Sequence, residues 1–157
     1  MTESADEQEI QKNFECDADT LFRSIGSFIF NFSRFEDVVR GRVQKYLLIG
    51  YEQYPLIMPA MDFAYLCRVC KRLVEERFEA NKREQILSIL SEGLRIGEDR
   101  NRVAHGSWYM NKPAGVAVHL SRNKLDMTDH FLQPGELDKI TDRLILMRHR
   151  LWELTQE

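Results

Sequence analysis

With 157 residues, 22 Lys and Arg against 25 Asp and Glu, and a net charge of −3 at pH 7, the chain suits one domain whose core removes about two thirds of the unfolded surface from water. That acidic balance excludes a general polyanion binder, which needs many cations to neutralise phosphates, so any nucleic-acid contact must be local. No run reaches the roughly 18 apolar residues of a membrane span, Met1 to Glu9 do not form a basic flank before an apolar run, and three cysteines suit reduced thiols better than a disulfide scaffold; the expectation is a cytoplasmic protein with no membrane contact.

Residues 1–16 are polar, acidic and weakly periodic, which predicts a flexible N-terminal tail with frayed helix at most. The ordered domain is expected over 17–157. Leu21, Ile25, Phe28, Phe32, Phe35, Val39, Val43 and Tyr46 recur at steps of three and four, the signature of one apolar stripe on a long first helix ending near Leu48. Gly50, Pro55 and Pro59 then predict a loop of roughly ten residues, since proline lacks the N–H and biases its predecessor away from helix.

A second helix is expected over 60–79 on Phe63, Leu66, Cys70, Leu73 and Phe78, and a third, capped by Asn81, through Ile86, Leu90 and Leu94 to Ala104. Two β-prone runs, Ser107 to Met110 and Val116 to Leu120, flank Pro113 and Gly115 and predict a hairpin. The polar interval 121–131 has no clear assignment. From Pro134 onward, Leu137, Ile140, Leu144, Met147, Leu151 and Leu154 form a continuous apolar seam on a last helix. The fold class read from this pattern is all-α: a four-helix up-and-down bundle with a short β-hairpin inserted before the last helix.

The third helix carries Gly93 and Gly97, each costing about 1 kcal/mol against alanine in a helix interior. Continuing that row by fours gives Asn101 and His105, so bare backbone and two hydrogen-bonding side chains share one face. Such a face lets another helix approach closely, either a helix of a second copy or the first or last helix of the same chain. Gly106 is placed to end the helix in the left-handed conformation. Arg100 sits about 140° around the helix from His105, within reach of its long side chain.

These residue types suit phosphodiester chemistry. An imidazole exchanges protons near neutral pH, taking one from a ribose 2′-hydroxyl or giving one to a leaving 5′-oxygen. A guanidinium pairs with phosphate oxygens and stabilises charge growing on phosphorus, and the Asn101 amide orients either partner. The set includes no metal cage and implies no cofactor. A single histidine leaves the acid or the base unfilled, and a twofold dimer would supply the second.

Arg, a polar residue, three further positions and then His-Gly at the end of a bundle helix resembles the motif of the HEPN superfamily, with Phe32-Ser33-Arg34-Phe35-Glu36 similar to an aromatic-plus-glutamate pattern of several HEPN groups. The resemblance implies a helical, often dimeric domain and, in many members, a metal-independent endoribonuclease of toxin–antitoxin or phage-defence systems. It assigns catalysis to Arg100, Asn101 and His105 in a composite cleft at the dimer interface, and the expected partners are a second copy, RNA and a cognate antitoxin or regulatory protein. Catalytically inactive HEPN members act as RNA-binding or dimerisation modules, which is the alternative expectation. Tyr109 stands four residues after His105, where one toxin branch has a tyrosine two residues after the histidine.

Arg102 and Arg95, with Arg68, Lys71 and Arg72, read either as a basic rim for phosphates or as a solvated helix face. Trp108 and Tyr109 either stack on a base or pack on the bundle. Cys67 and Cys70 form a CxxC without a second such pair, which in a helix reads as packing. His119, His130 and His149 share no spacing that makes a joint site.

Overall fold

The computed structural model describes residues 5–109, 116–120, 127–131 and 135–156; the side chains of 5–17, Tyr109, 116–120 and 127–129 lie outside the description. The protein is mostly helical. Helix α1 spans Ala5–Tyr46, α2 is the single turn Tyr54–Ile57, a 3-10 turn covers Met58–Ala60, α3 spans Phe63–Arg77, α4 Ala80–His105 and α5 Glu136–Leu154. Strands β1 (Ser107–Tyr109), β2 (Val116–Leu120) and β3 (Met127–His130) form an antiparallel sheet in the order β1-β2-β3. Among the described residues no helix is long and apolar enough to cross a membrane.

The apolar periodicities become the core. Leu21, Phe28, Phe32, Phe35, Val39, Val43 and Tyr46 of α1 are buried, as are Leu66, Cys67, Cys70 and Val74 of α3 and Leu137, Leu144, Met147 and Leu151 of α5. Helix α1 begins at Ala5 and so takes in residues 5–16, where the sequence predicts a tail. The prolines at 55 and 59 do more than stop α1: each stands at the start of a short helical turn, where a missing N–H costs nothing. Asp62 caps α3, its carboxylate accepting from Tyr65 N–H at 2.7 Å. Asn81 lies inside α4 rather than at its cap, and its side-chain oxygen accepts from Gln85 at 3.1 Å.

In the sheet, Ser107 pairs with Val118 and Tyr109 with Val116, while Ala117 pairs with His130 and Leu120 with Met127. Residues 110–115, where the sequence predicts the hairpin turn, and Pro134 lie outside the described residues. Strand β3 falls in the interval the sequence left unassigned. Directly after it Phe131 takes a left-handed backbone (φ 61°) and is buried, and its ring stacks on Trp108 with centroids 5.9 Å apart and planes 12° from parallel.

By internal contacts the chain divides into two compact units, Met1–Ile29 with Arg100–Thr141 and Phe30–Asp99 with Asp142–Glu157. In the second unit the α1, α3, α4 and α5 segments are tied by side chains. Phe32 and Phe35 of α1 meet Phe63 of α3, with ring centroids 4.8 and 6.0 Å apart. Lys71 donates to Ser91 at 2.8 Å, Arg77 to the Tyr46 carbonyl at 2.9 Å, and Arg150 to Gln85 at 2.7 Å.

Arg40 joins the Glu36 carboxylate to the carbonyl of fully buried Met58. Arg40→Ala strands that carbonyl and is expected to cost about 1–3 kcal/mol in a urea titration.

Arg143 grips Glu92 with two bonds, Nε to Oε1 at 2.8 Å and Nη2 to Oε2 at 3.0 Å, and the hydrogen bond holds the Glu92 carboxyl below the ordinary carboxylate value. A depressed folded value stabilises above the unfolded carboxylate range and is lost as acid protonates the group. The melting-temperature gap between the protein and its Glu92→Gln variant is therefore expected to close as pH falls from about 7 towards about 3.

Candidate functional site

The segment singled out by the sequence forms the last two turns of α4 and its exit into β1. Val103 is the anchor: its side chain is buried, and its carbonyl, otherwise without a helical partner so near the end, accepts from Trp108 Nε1 at 3.1 Å. Gly106 N–H bonds the Arg102 carbonyl at 2.8 Å. Gly106 does not take the left-handed conformation expected of it; among the described residues the glycine with positive φ is Gly135, just before α5. The end of α4 is instead fixed by one side chain pointing in and one indole closing over a carbonyl.

Helical geometry then dictates which neighbours reach solvent. Asn101 and His105 each lie about 160° around the helix from Val103, while Arg100 and Arg102 lie about 60° and 100° from it. Asn101 and His105 are accordingly exposed, and Arg100 and Arg102 half-buried. Arg100 Nη1 donates to Asn101 Oδ1 at 3.2 Å. That bond uses the amide oxygen and leaves the Asn101 NH2 group as a donor. The imidazole of His105 stands one turn further along the same face.

Arg95 is exposed on α4, and Arg102 is engaged with neighbouring groups. Trp108 is half-buried, with its N–H bonded and its ring stacked on Phe131, so of its two readings packing is the one with contacts behind it. The side chain of Tyr109 lies outside the description, and β1 carries its backbone.

The glycine row has an occupant inside the chain. A Cβ on Gly93 would stand 2.6 Å from Phe35 Cε1, and one on Gly97 would stand 3.2 Å from Phe63 Cδ1. Of the approaches that the bare face allows, the observed one is by aromatic rings of α1 and α3. The row thus divides into a packed half, Gly93 and Gly97, and an exposed half, Asn101 and His105.

Cys67 and Cys70 are fully buried, and burial pushes both thiols up to about 12, which keeps them protonated as packing groups. Among the described residues no three His, Cys, Asp or Glu side chains are grouped to hold a metal.

Sequence reasoning missed a second feature, a groove of about 490 Å³ lined by Arg34, Asp37 and Val38 of α1 and Arg148, His149 and Trp152 of α5. The signal was present as two rows of i, i+4 pairs, Arg34 with Val38 and Arg148 with Trp152, but nothing in a single sequence says that these rows face each other.

Chemically, the α4 end offers one imidazole, one amide donor and one guanidinium already turned towards that amide. No protein-family model, curated protein or solved structure matches the chain.

Proposed function

We propose that the protein is a metal-independent endoribonuclease of the HEPN type that cleaves single-stranded RNA in a composite cleft made by two copies of the α4 end in a homodimer. The observation that supports it most is the exposure of Asn101 and His105 side by side, with the Arg100 guanidinium bonded to Asn101. His105 of one copy takes the 2′-hydroxyl proton as that oxygen attacks phosphorus. The bond to the 5′-oxygen breaks, and the second histidine, protonated, supplies the proton that oxygen needs. Arg100 neutralises charge on the phosphorane, and the Asn101 NH2 group orients a phosphate oxygen. The products are a 2′,3′-cyclic phosphate and a 5′-hydroxyl. The reading includes a four-helix up-and-down bundle as the scaffold, a cytoplasmic setting and a toxin or phage-defence role with a cognate antitoxin.

The test is incubation of the protein with single-stranded RNA in EDTA and analysis of the product ends. Cyclic phosphate termini that vanish with His105→Ala support the reading, and cleavage unchanged by that variant sinks it. The fact that Arg100 bonds Asn101 rather than His105 favours one second reading, a non-catalytic RNA-binding or dimerisation module. That module would bind RNA and turn over none.

A further inference from the structure

The groove between α1 and α5 has the chemistry of a binding site that the reaction above does not use. Among the described residues Arg34 pairs with no carboxylate, and the one hydrogen bond of the Arg148 side chain is to His149 Nε2 at 3.3 Å. Two guanidiniums against the single carboxylate of Asp37 make the groove locally positive on a chain whose net charge is −3.

Trp152 is 53% exposed, an unusual place for an indole without a task. It is also held in orientation: the Gln156 carboxamide, turned with its oxygen inward, accepts from Trp152 Nε1 at 3.0 Å and from Arg42 Nη2 at 2.8 Å. The polar edge of the ring is thereby satisfied, and the apolar face is what remains to offer a ligand.

We propose that this groove binds a nucleotide unit, with the base stacked on Trp152, the phosphate between Arg34 and Arg148, and Asp37 accepting from a ribose hydroxyl or a base amino group. Each part answers one feature of the groove. A flat π face tolerates any base, paired guanidiniums match phosphate oxygens in a way that a lone lysine does not, and about 490 Å³ lies within the range of small-molecule sites, roughly 300–1,000 Å³. An acidic peptide would satisfy the arginines and leave the indole face bare. The inference is independent of RNA cleavage at His105. The nucleotide unit has two sources, a free mononucleotide or one residue of a single strand.

Tryptophan emission of the full chain, titrated with AMP, adenosine, inorganic phosphate and a six-residue oligoadenylate, tests it. Saturable quenching by AMP is expected, with adenosine and phosphate each at least tenfold weaker. Arg34→Ala and Arg148→Ala should each weaken AMP at least fivefold and Trp152→Leu at least tenfold when binding is followed by calorimetry, with circular dichroism confirming that each variant keeps its helices. His105→Ala should bind AMP as the wild type does, which separates this site from the α4 end. An oligonucleotide that outcompetes AMP identifies a strand as the source, and equal affinity identifies the free nucleotide. No saturable binding of AMP or the oligonucleotide, phosphate binding as well as AMP, or affinity unchanged in Arg148→Ala and Trp152→Leu would overturn the proposal.

Discussion

His105→Ala is expected to lower RNA cleavage by about 10²–10⁴-fold, the usual share of a positioned acid or base, with the larger value favoured because a homodimer loses both histidines at once. Arg100→Ala should cost about 10²–10³-fold by removing charge stabilisation at phosphorus. Neither loss should come from unfolding. His105 is exposed and Arg100 half-buried, and such positions, outside the core, change stability by about 0.5 kcal/mol or less. A composite cleft adds a sharper expectation. Mixing the wild type with an excess of His105→Ala forms dimers that hold one histidine and so lack the acid or the base, and activity should fall below the wild-type protein's own share, whereas independent sites would keep that share in full. Single-turnover cleavage with denaturation curves of each variant measures both sides of this comparison.

Gly93→Ala should destabilise the protein by up to about 2 kcal/mol. The new methyl gains about 1 kcal/mol of helix propensity but meets Phe35 Cε1 at 2.6 Å and Cζ at 3.0 Å. Phe35 is fully buried, so its ring has no room to yield, and overpacking of this kind costs about 1–3 kcal/mol. Gly97→Ala should differ. Its methyl meets Phe63 at 3.2 and 3.3 Å, and Phe63 is the half-buried first residue of α3, able to shift by a few tenths of an ångström, so propensity and crowding should nearly cancel. Urea titrations of the two variants decide the matter. The reverse order, with Gly97→Ala the more damaging, would show that the row is not held by the Phe35 contact.

Long-range agreement between pattern and structure was greatest where burial is one-sided and continuous. The α1 stripe from Leu21 to Tyr46 and the α5 seam from Leu137 to Leu151 could be read because most members of each row are buried at helical spacing. Strand β3 could not, because Met127, Thr128, Asp129 and His130 carry no alternation and are placed by backbone pairing to β2. The turns at 54–60 were hidden by prolines that open helical turns as readily as they close them.

The candidate site divides in the same way. The shared face of Asn101 and His105 follows from their spacing and the anchor Val103, so a sequence carries it. The bond from Arg100 to Asn101 depends on a choice of rotamer, and the ring that fills Gly93 depends on residues almost sixty positions away. The groove joins residues 34–38 to 148–152, a proximity that only the assembled helices create.

The chain has two tryptophans, and they fall one to each compact unit: Trp108 between Val103 and Phe131, Trp152 on the α1–α5 groove. Light emission can therefore be assigned unit by unit with a single Trp→Phe change. Three helices, α1, α4 and α5, run through both units, so melting one unit frays helices that the other must keep. Coincident transitions from the two indoles would mark a single cooperative block, and separated ones would mark a chain that opens in stages.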